Sequence, residues 1–310
     1  MEDITFYDLF LEYMDYIKIR IKPQSLRKFQ SNFKLHILPF FKDYKLNDIK
    51  SRDIMKWQET IYNKHFSNSY NKNIQATLVM IFNYAIKFDY LNTNINVASK
   101  VGGFSKRNIK RKYNVWTLEE FNSFISIIDN NLYKLLFSTL FYTGMRIGEC
   151  LALTWNDFHS NYFDINKTIS KELNPDKSYI ITSPKTSSSY REIYLDSKLI
   201  SELNSLKQTE MLKEDFDNSW FIFGGSKPLS RTTIERYKNM YCDLANVKKI
   251  KLHEFRHSHA TLLISNGVPI TAISQRLGHA DITMTLNTYS HSIPQDENKV
   301  IILLNNIKTS

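Results

Sequence analysis

The stretch Lys251–His291, KLHEFRHSHATLLISNGVPITAISQRLGHADITMTLNTYSH, divides into three short helices rich in ionisable side chains. His253 to Ser265 keeps helical spacing and stops at Asn266-Gly267, a C-cap signal. Pro269 stands at the first position of a second helix that ends at Gly278, and Asp281 caps a third helix bearing Tyr289. Two chemistries fit these residues. HEFRH at 253–257 has the His-Glu-x-x-His spacing of a zinc peptidase. His253 and Arg256, at i and i+3, also face one way and suit a phosphate, which a guanidinium grips at two oxygens while an imidazole exchanges a proton. Arg256 weighs against zinc, because a guanidinium fixed beside a dication is costly without compensating carboxylates.

Further upstream, Gly144-Met145-Arg146-Ile147-Gly148-Glu149 sets a second arginine at a helix start, where free backbone amides favour an anion. Glu149 is placed to orient a neighbouring basic side chain. Alternating patterns at 162–169, 179–183 and 191–195 predict a small antiparallel sheet. Lys185 falls on the tight turn of a hairpin made by the last two strands, extended toward a polyanion. Around this sheet the spacing predicts helices over 131–142, 147–153, 197–213 and 231–245, a capping box at Thr117–Glu120, and a short strand at 220–223. The tail from Pro294 to Ile307 fits a last helix.

The N-terminal third is helical throughout. Segments over 4–21, from Ser25 to Ile37, 53–63 and 69–88 are separated by Lys22-Pro23, Pro39 and Lys45-Leu46-Asn47. Between Asn92 and Asn114 the periodicity fails and Gly102-Gly103 precedes a run of basic residues, which reads as a linker. The chain of 310 residues, 42% apolar, therefore divides into a helical domain over 1–92, a basic linker over 93–113 and a mixed domain over 114–310, its tail beginning at 294.

The formal charge of +10 is uneven. Residues 1–111 hold 19 Lys+Arg against 10 Asp+Glu, and residues 112–310 hold 22 against 21. An N-terminal excess of this kind is the footprint of phosphate-backbone binding. Lys106, Arg107, Lys110, Arg111 and Lys112 in the linker are the residues best suited to follow such a backbone. Two cysteines, Cys150 and Cys242, each in a predicted helix, argue against a disulfide framework or a cysteine zinc site. No apolar run approaches the length of a bilayer span, so a cytoplasmic protein without a membrane partner is expected.

Taken together, Thr143-Gly144-Met145-Arg146-Ile147-Gly148-Glu149, Lys185, His253-Glu254-Phe255-Arg256-His257-Ser258-His259-Ala260, Leu277-Gly278-His279 and Thr288-Tyr289-Ser290-His291 resemble, in order, the motifs of the tyrosine recombinase (phage integrase) family. The resemblance implies a mainly α fold with a small antiparallel β-sheet, in which a helical core-binding domain precedes a mixed α/β catalytic domain. It implies that Tyr289 attacks a scissile phosphate of double-stranded DNA to give a 3′-phosphotyrosine and a free 5′-hydroxyl. Arg146, Arg256 and His279 would then stabilise the non-bridging oxygens, Lys185 would act as general acid, and His253 as general base, with Glu149 in support. No metal or other cofactor is implied, since the covalent intermediate conserves the phosphodiester bond energy. His257, His259 and His291 receive no role beyond packing or capping.

The family's pattern also implies four protomers on two DNA sites, the tail docking on a neighbour, with accessory DNA-bending or directionality factors left open. Three roles stay open: integration and excision of a mobile element, resolution of chromosome or plasmid dimers, and non-catalytic DNA binding on the same scaffold. Many integrases of mobile elements carry an arm-site-binding domain ahead of the core-binding one. The first helix here begins almost at Met1, so the chain is either a two-domain recombinase or one lacking that domain.

Overall fold

Phe6, Leu9, Phe10, Tyr13 and Ile17 recur at helical intervals and form the buried face of α1 (Phe6–Ile17), whose N-terminus is capped by the Thr5 side chain accepting from the Asp8 N–H. α1 opens the first of two units, Met1–Arg111 and Lys112–Ser310, in a computed structural model that describes residues 4–21, 23–103, 114–170, 179–184 and 186–289. α2 (Pro23–Asn32) continues through a π-turn over Phe33–Ile37 into α3 (Leu38–Phe41). Pro39 therefore does not end the helical segment as the sequence suggests. It lies in the first turn of α3, where a proline's missing N–H costs nothing. α4 (Ser51–Tyr62) and α5 (Asn68–Lys87) complete an aromatic core around Phe6, Phe33, Phe41, Trp57 and Phe82.

The break in periodicity after Asn92 hides one more element, α6 (Val97–Val101). The Asn96 side chain caps it by accepting from the N–H groups of Ala98 and Ser99, and Ala98 is buried. Five residues are too few to show a period, so the stretch reads as linker in sequence. Lys106, Arg107, Lys110, Arg111 and Lys112 lie outside the described residues, as do Lys185 and the tail from residue 290 onward.

The second unit begins at the capping box of α7 (Leu118–Ile127), where Thr117 Oγ1 and the Glu120 carboxylate accept each other's backbone N–H. α8 (Asn131–Thr143) and α9 (Ile147–Ala152) follow, then β1 (Phe158–His159), β2 (Tyr162–Ile165) and β3 (Thr168–Ser170). β4 (Ile180–Thr182) and β5 (Arg191–Tyr194) complete the strands. The helices α10 (Ser197–Met211), α11 (Arg231–Leu244), α12 (Glu254–Ser265), α13 (Ile270–Leu277) and α14 (Ile282–Tyr289) complete the unit. Its core gathers Trp116, Phe121, Phe124, Phe137, Phe141 and Phe255 with residues of α9, the strands and α11. Mainly helical with antiparallel strands, this is the fold class implied by the sequence.

The sheet differs from the sequence reading. β4 and β5 do not pair with each other. β5 pairs with β2, setting Phe163 opposite Ile193, in a three-stranded sheet ordered β1-β2-β5, while β4 pairs with β3 in a separate two-stranded ribbon. The run 162–169 splits at Asn166 and Lys167, because both side chains turn to the buried carboxylate of Asp157. Alternation identifies strands but not their partners, since each strand has two edges. The segment 220–223 forms no strand either. Phe221 makes isolated bridges to Thr154 and Gly225.

Candidate active site

α8 ends at Gly144, which adopts the left-handed conformation (φ 65°) and donates its N–H to Leu140. A side chain at this position would meet the His259 ring at 2.5 Å and Leu277 at 2.9 Å, so the close approach as well as the φ demands glycine. The turn delivers Arg146 to the N-cap of α9. There the Glu149 carboxylate accepts from the Arg146 backbone N–H at 2.9 Å and from its guanidinium at 2.7 Å. Arg191, at the start of β5, donates to the same carboxylate at 2.9 Å, and its Nε donates to the Arg276 carbonyl. Burial alone would raise the Glu149 carboxyl, but Arg191 and Arg146 together hold it below the usual carboxylate range.

Arg256 is 2% exposed. Nη1 donates to the Gly144 carbonyl at 3.0 Å and Nη2 to the Leu277 carbonyl at 2.6 Å. These acceptors lie at the C-terminal ends of α8 and α13, where partial negative charge favours a cation. A guanidinium carries five N–H donors, so several remain for an anion. Burial, followed by repulsion from Arg146, lowers the affinity of Arg256 for its own proton. The group stays charged at neutral pH, and its buried positive charge beside that of Arg146 favours an incoming anion.

His279 follows the left-handed Gly278 that ends α13. Its Nδ1 shares a 2.7 Å hydrogen bond with the buried Thr285 of α14, which leaves Nε2 for an external group. Arg146, Glu149, Thr186, Ser189, His279 and Met284 border a cavity of about 310 Å³. His253 caps α12 and is exposed, with its ring edge-on to that of His257 at 5.0 Å. Tyr289, at the end of α14, is 2% exposed, and its hydroxyl lies 2.5 Å from His257 Nδ1.

Arg146, Glu149, Arg256 and His279 thus converge. Tyr289 and His253 reach the same cluster through His257, and Lys185 is outside the described residues. The zinc pattern fares differently: Glu254, which it needs as a base, accepts the backbone N–H of Lys251 at 2.6 Å, and His257 Nδ1 is engaged by Tyr289. Among the described residues no group of three or more His, Cys, Asp or Glu is arranged to hold a metal ion. No helix among them is long and apolar enough to cross a membrane.

Four residues of the site escape the sequence. Arg191 and Thr285 sit in a strand and a helix whose partners only the fold supplies. Arg276 donates to the carbonyls of Tyr142 and Tyr194 and to His259, locking α13 against α8 and β5. His257 carried a signal in its four-residue spacing from His253, but that spacing alone does not distinguish packing from chemistry.

Burial, with Arg276 nearby, pushes His259 down to about 3, and burial with His253 nearby pushes His257 down to about 4. The unfolded chain therefore takes up these protons first, near pH 6.5. The stabilisation is whole above that value and is lost as pH falls toward the folded values, about 2 kcal/mol per buried histidine by pH 5. Denaturant unfolding at pH 7.5 and 5.0 at constant ionic strength is expected to show this loss. Equal stabilities at the two values would contradict it.

Two family models match the sequence: the phage integrase family over residues 114–296, and the phage integrase N-terminal SAM-like domain over residues 5–62. The ICEBs1 integrase of Bacillus subtilis strain 168 is 30% identical over 306 residues, spanning 96% of this chain and 82% of that protein. A XerC-like tyrosine recombinase of Caldanaerobacter subterraneus is 26% identical over 329 residues, spanning 99% and 84%. Among solved structures, the Tn1549 transposon integrase in complex with circular intermediate DNA shares the fold with a TM-score of 0.77 at 19% identity, covering 96% of this chain and 99% of that one. A lambda integrase tetramer bound to a Holliday junction gives a TM-score of 0.67 at 19% identity, covering 94% and 78%. With more than half its length matched by the phage integrase model and an integrase relative aligned along nearly all of it, the chain belongs to the phage integrase family of tyrosine recombinases.

Proposed function

We propose that this chain is a site-specific DNA recombinase that integrates and excises a mobile element through a 3′-phosphotyrosine intermediate. The observation that carries the proposal is the pair of guanidiniums at Arg146 and Arg256. One is oriented by Glu149 and the other by two helix C-termini, beside a tyrosine hydroxyl already in contact with an imidazole. Tyr289 attacks the scissile phosphorus. Arg146, Arg256 and His279 Nε2 take the charge that develops on the non-bridging oxygens, a preorganised role that other phosphoryl-transfer enzymes give to metal ions. Lys185 supplies the proton to the leaving 5′-oxygen, and an imidazole of α12, His253 in the family's pattern, receives the tyrosine proton.

The helical unit and the basic stretch Lys106, Arg107, Lys110, Arg111 and Lys112 follow the duplex backbone, and the protomers assemble as a tetramer on two DNA sites. The mobile-element role is favoured over dimer resolution because the 30%-identical relative aligned along nearly the whole chain is named an integrase. A recognition site selected from a random duplex pool, then nicked near the cleavage position, tests the reading. The expected result is a covalent protein–DNA adduct formed equally well in EDTA. Binding without any adduct would leave a DNA-binding protein on the same scaffold, and an adduct lost in EDTA would overturn the metal-free mechanism.

A further inference from the structure

We infer that Thr285 is a positioning residue that fixes the tautomer of His279, so that a neutral imidazole presents an Nε2–H donor to the scissile phosphate. The inference rests on the recombinase reading and deepens it by assigning the form in which His279 meets the DNA. Thr285 is 0% exposed, and its hydroxyl lies 2.7 Å from His279 Nδ1, its only hydrogen-bond partner among the described residues. The neighbouring threonines of α14 are satisfied locally, Thr283 by the Asp281 carboxylate and Thr288 by the Met284 carbonyl. Were the ring proton on Nδ1, Thr285 would accept it, and its own hydroxyl hydrogen would be buried without an acceptor, a costly arrangement. The hydroxyl therefore donates, Nδ1 accepts, and the ring proton stands on Nε2.

The backbone leaves the ring few alternatives. The His279 N–H donates to the Ser274 carbonyl, and a side chain on the preceding Gly278 would meet Arg191 Cδ and the Ser188 carbonyl oxygen, each at 3.0 Å. His279 borders the same cavity as Arg146 and Glu149. Burial, with Arg256, Arg146, Arg191 and His253 facing the imidazole, pushes it down to about 4, so the ring is neutral at neutral pH. For a neutral ring the tautomer decides the sign of the interaction. With the proton on Nε2 the ring donates to a non-bridging oxygen, whereas with the proton on Nδ1 a lone pair would face that oxygen and repel it. The arginines supply the charge, and His279 supplies a directed hydrogen bond that Thr285 preorganises. Thr285 also stands one turn before Tyr289 on α14, so its hydrogen bond ties the helix that carries the nucleophile to the phosphate site.

Long-range proton–nitrogen NMR correlations on the full chain carrying nitrogen-labelled histidine read the tautomer directly, the His279 signals being identified by their loss in His279→Gln. At neutral pH, both free and bound to the nicked recognition site, His279 is expected to show a protonated Nε2 and an unprotonated Nδ1. Thr285→Val, nearly isosteric but without the hydroxyl, is expected to give a mixture of tautomers and to bind the site as wild type does. Its adduct formation on prebound DNA is expected to be roughly 10 to 10²-fold slower, as loss of a partner that orients a histidine typically is. Thr285→Ser, which keeps the hydroxyl, is expected to restore most of the rate. Beside His279→Gln, Thr285→Val is expected to add no further loss, because it acts through the imidazole. A protonated Nδ1 in wild type, a wild-type rate for Thr285→Val, or a Thr285→Val loss undiminished beside His279→Gln would overturn the inference. Failure of the recombinase reading itself looks different: wild type would then form no adduct, while the tautomer of the free protein is read all the same.

Discussion

Tyr289→Phe is expected to abolish covalent capture of DNA, lowering the rate by more than roughly 10⁴-fold, as loss of the nucleophile does in other covalent enzymes. The substitution removes one oxygen from a buried ring. Losing the hydrogen bond to His257 costs folding about 1 kcal/mol. Site binding, which in the proposed reading rests on many phosphate contacts besides Tyr289, is expected to persist. Gel-resolved adduct formation on a nicked site, measured beside a binding titration, separates the two effects. Adduct formation at the wild-type rate would mean that another of the chain's 18 tyrosines, or another residue type, attacks the phosphate.

Arg256→Ala is expected to slow cleavage by roughly 10² to 10³-fold at saturating DNA, since in the proposed mechanism it removes a preorganised charge that meets the developing negative oxygens. It also strips the Gly144 and Leu277 carbonyls of their donor, and a buried acceptor left unsatisfied costs about 1–3 kcal/mol. Arg256→Lys distinguishes charge from geometry. A lysine restores the positive charge but not the planar fork that reaches two carbonyls and a phosphate together, so its rate is expected to fall between those of alanine and wild type. Single-turnover rates with prebound DNA, alongside unfolding curves, give both readings. A normal rate for Arg256→Ala would remove this arginine from the phosphate site.

What could be read in the sequence is what local chemistry fixes. The Thr117–Glu120 box, the Gly144 and Gly278 helix ends and the amphipathic faces of α1 and α5 follow from neighbours a few residues apart. Arg146 and Glu149 were legible for the same reason, being three residues apart at one helix start. Strand partnership was not, because β2 pairs with β5 across about thirty residues, and the break between β2 and β3 falls where Asn166 and Lys167 turn to Asp157, nine and ten residues away. Arg191 pairs with Glu149 across 42 residues, and His257 meets Tyr289 across 32. No period or spacing reports contacts of that range. The stretch 251–291 supplies Tyr289, its hydrogen-bond partner His257 and Arg256, but the fold is needed to bring Arg146, Glu149 and Arg191 to them.

The most direct test of the central claim is the chemical identity of the DNA attachment point. Adduct trapped on a nicked recognition site, digested with nuclease and trypsin, is expected to yield the peptide Leu277–Lys299 carrying a nucleotide joined through its 3′-phosphate to Tyr289, the one tyrosine in that peptide. A nucleotide on any other residue, or one joined through a 5′-phosphate, would contradict the account.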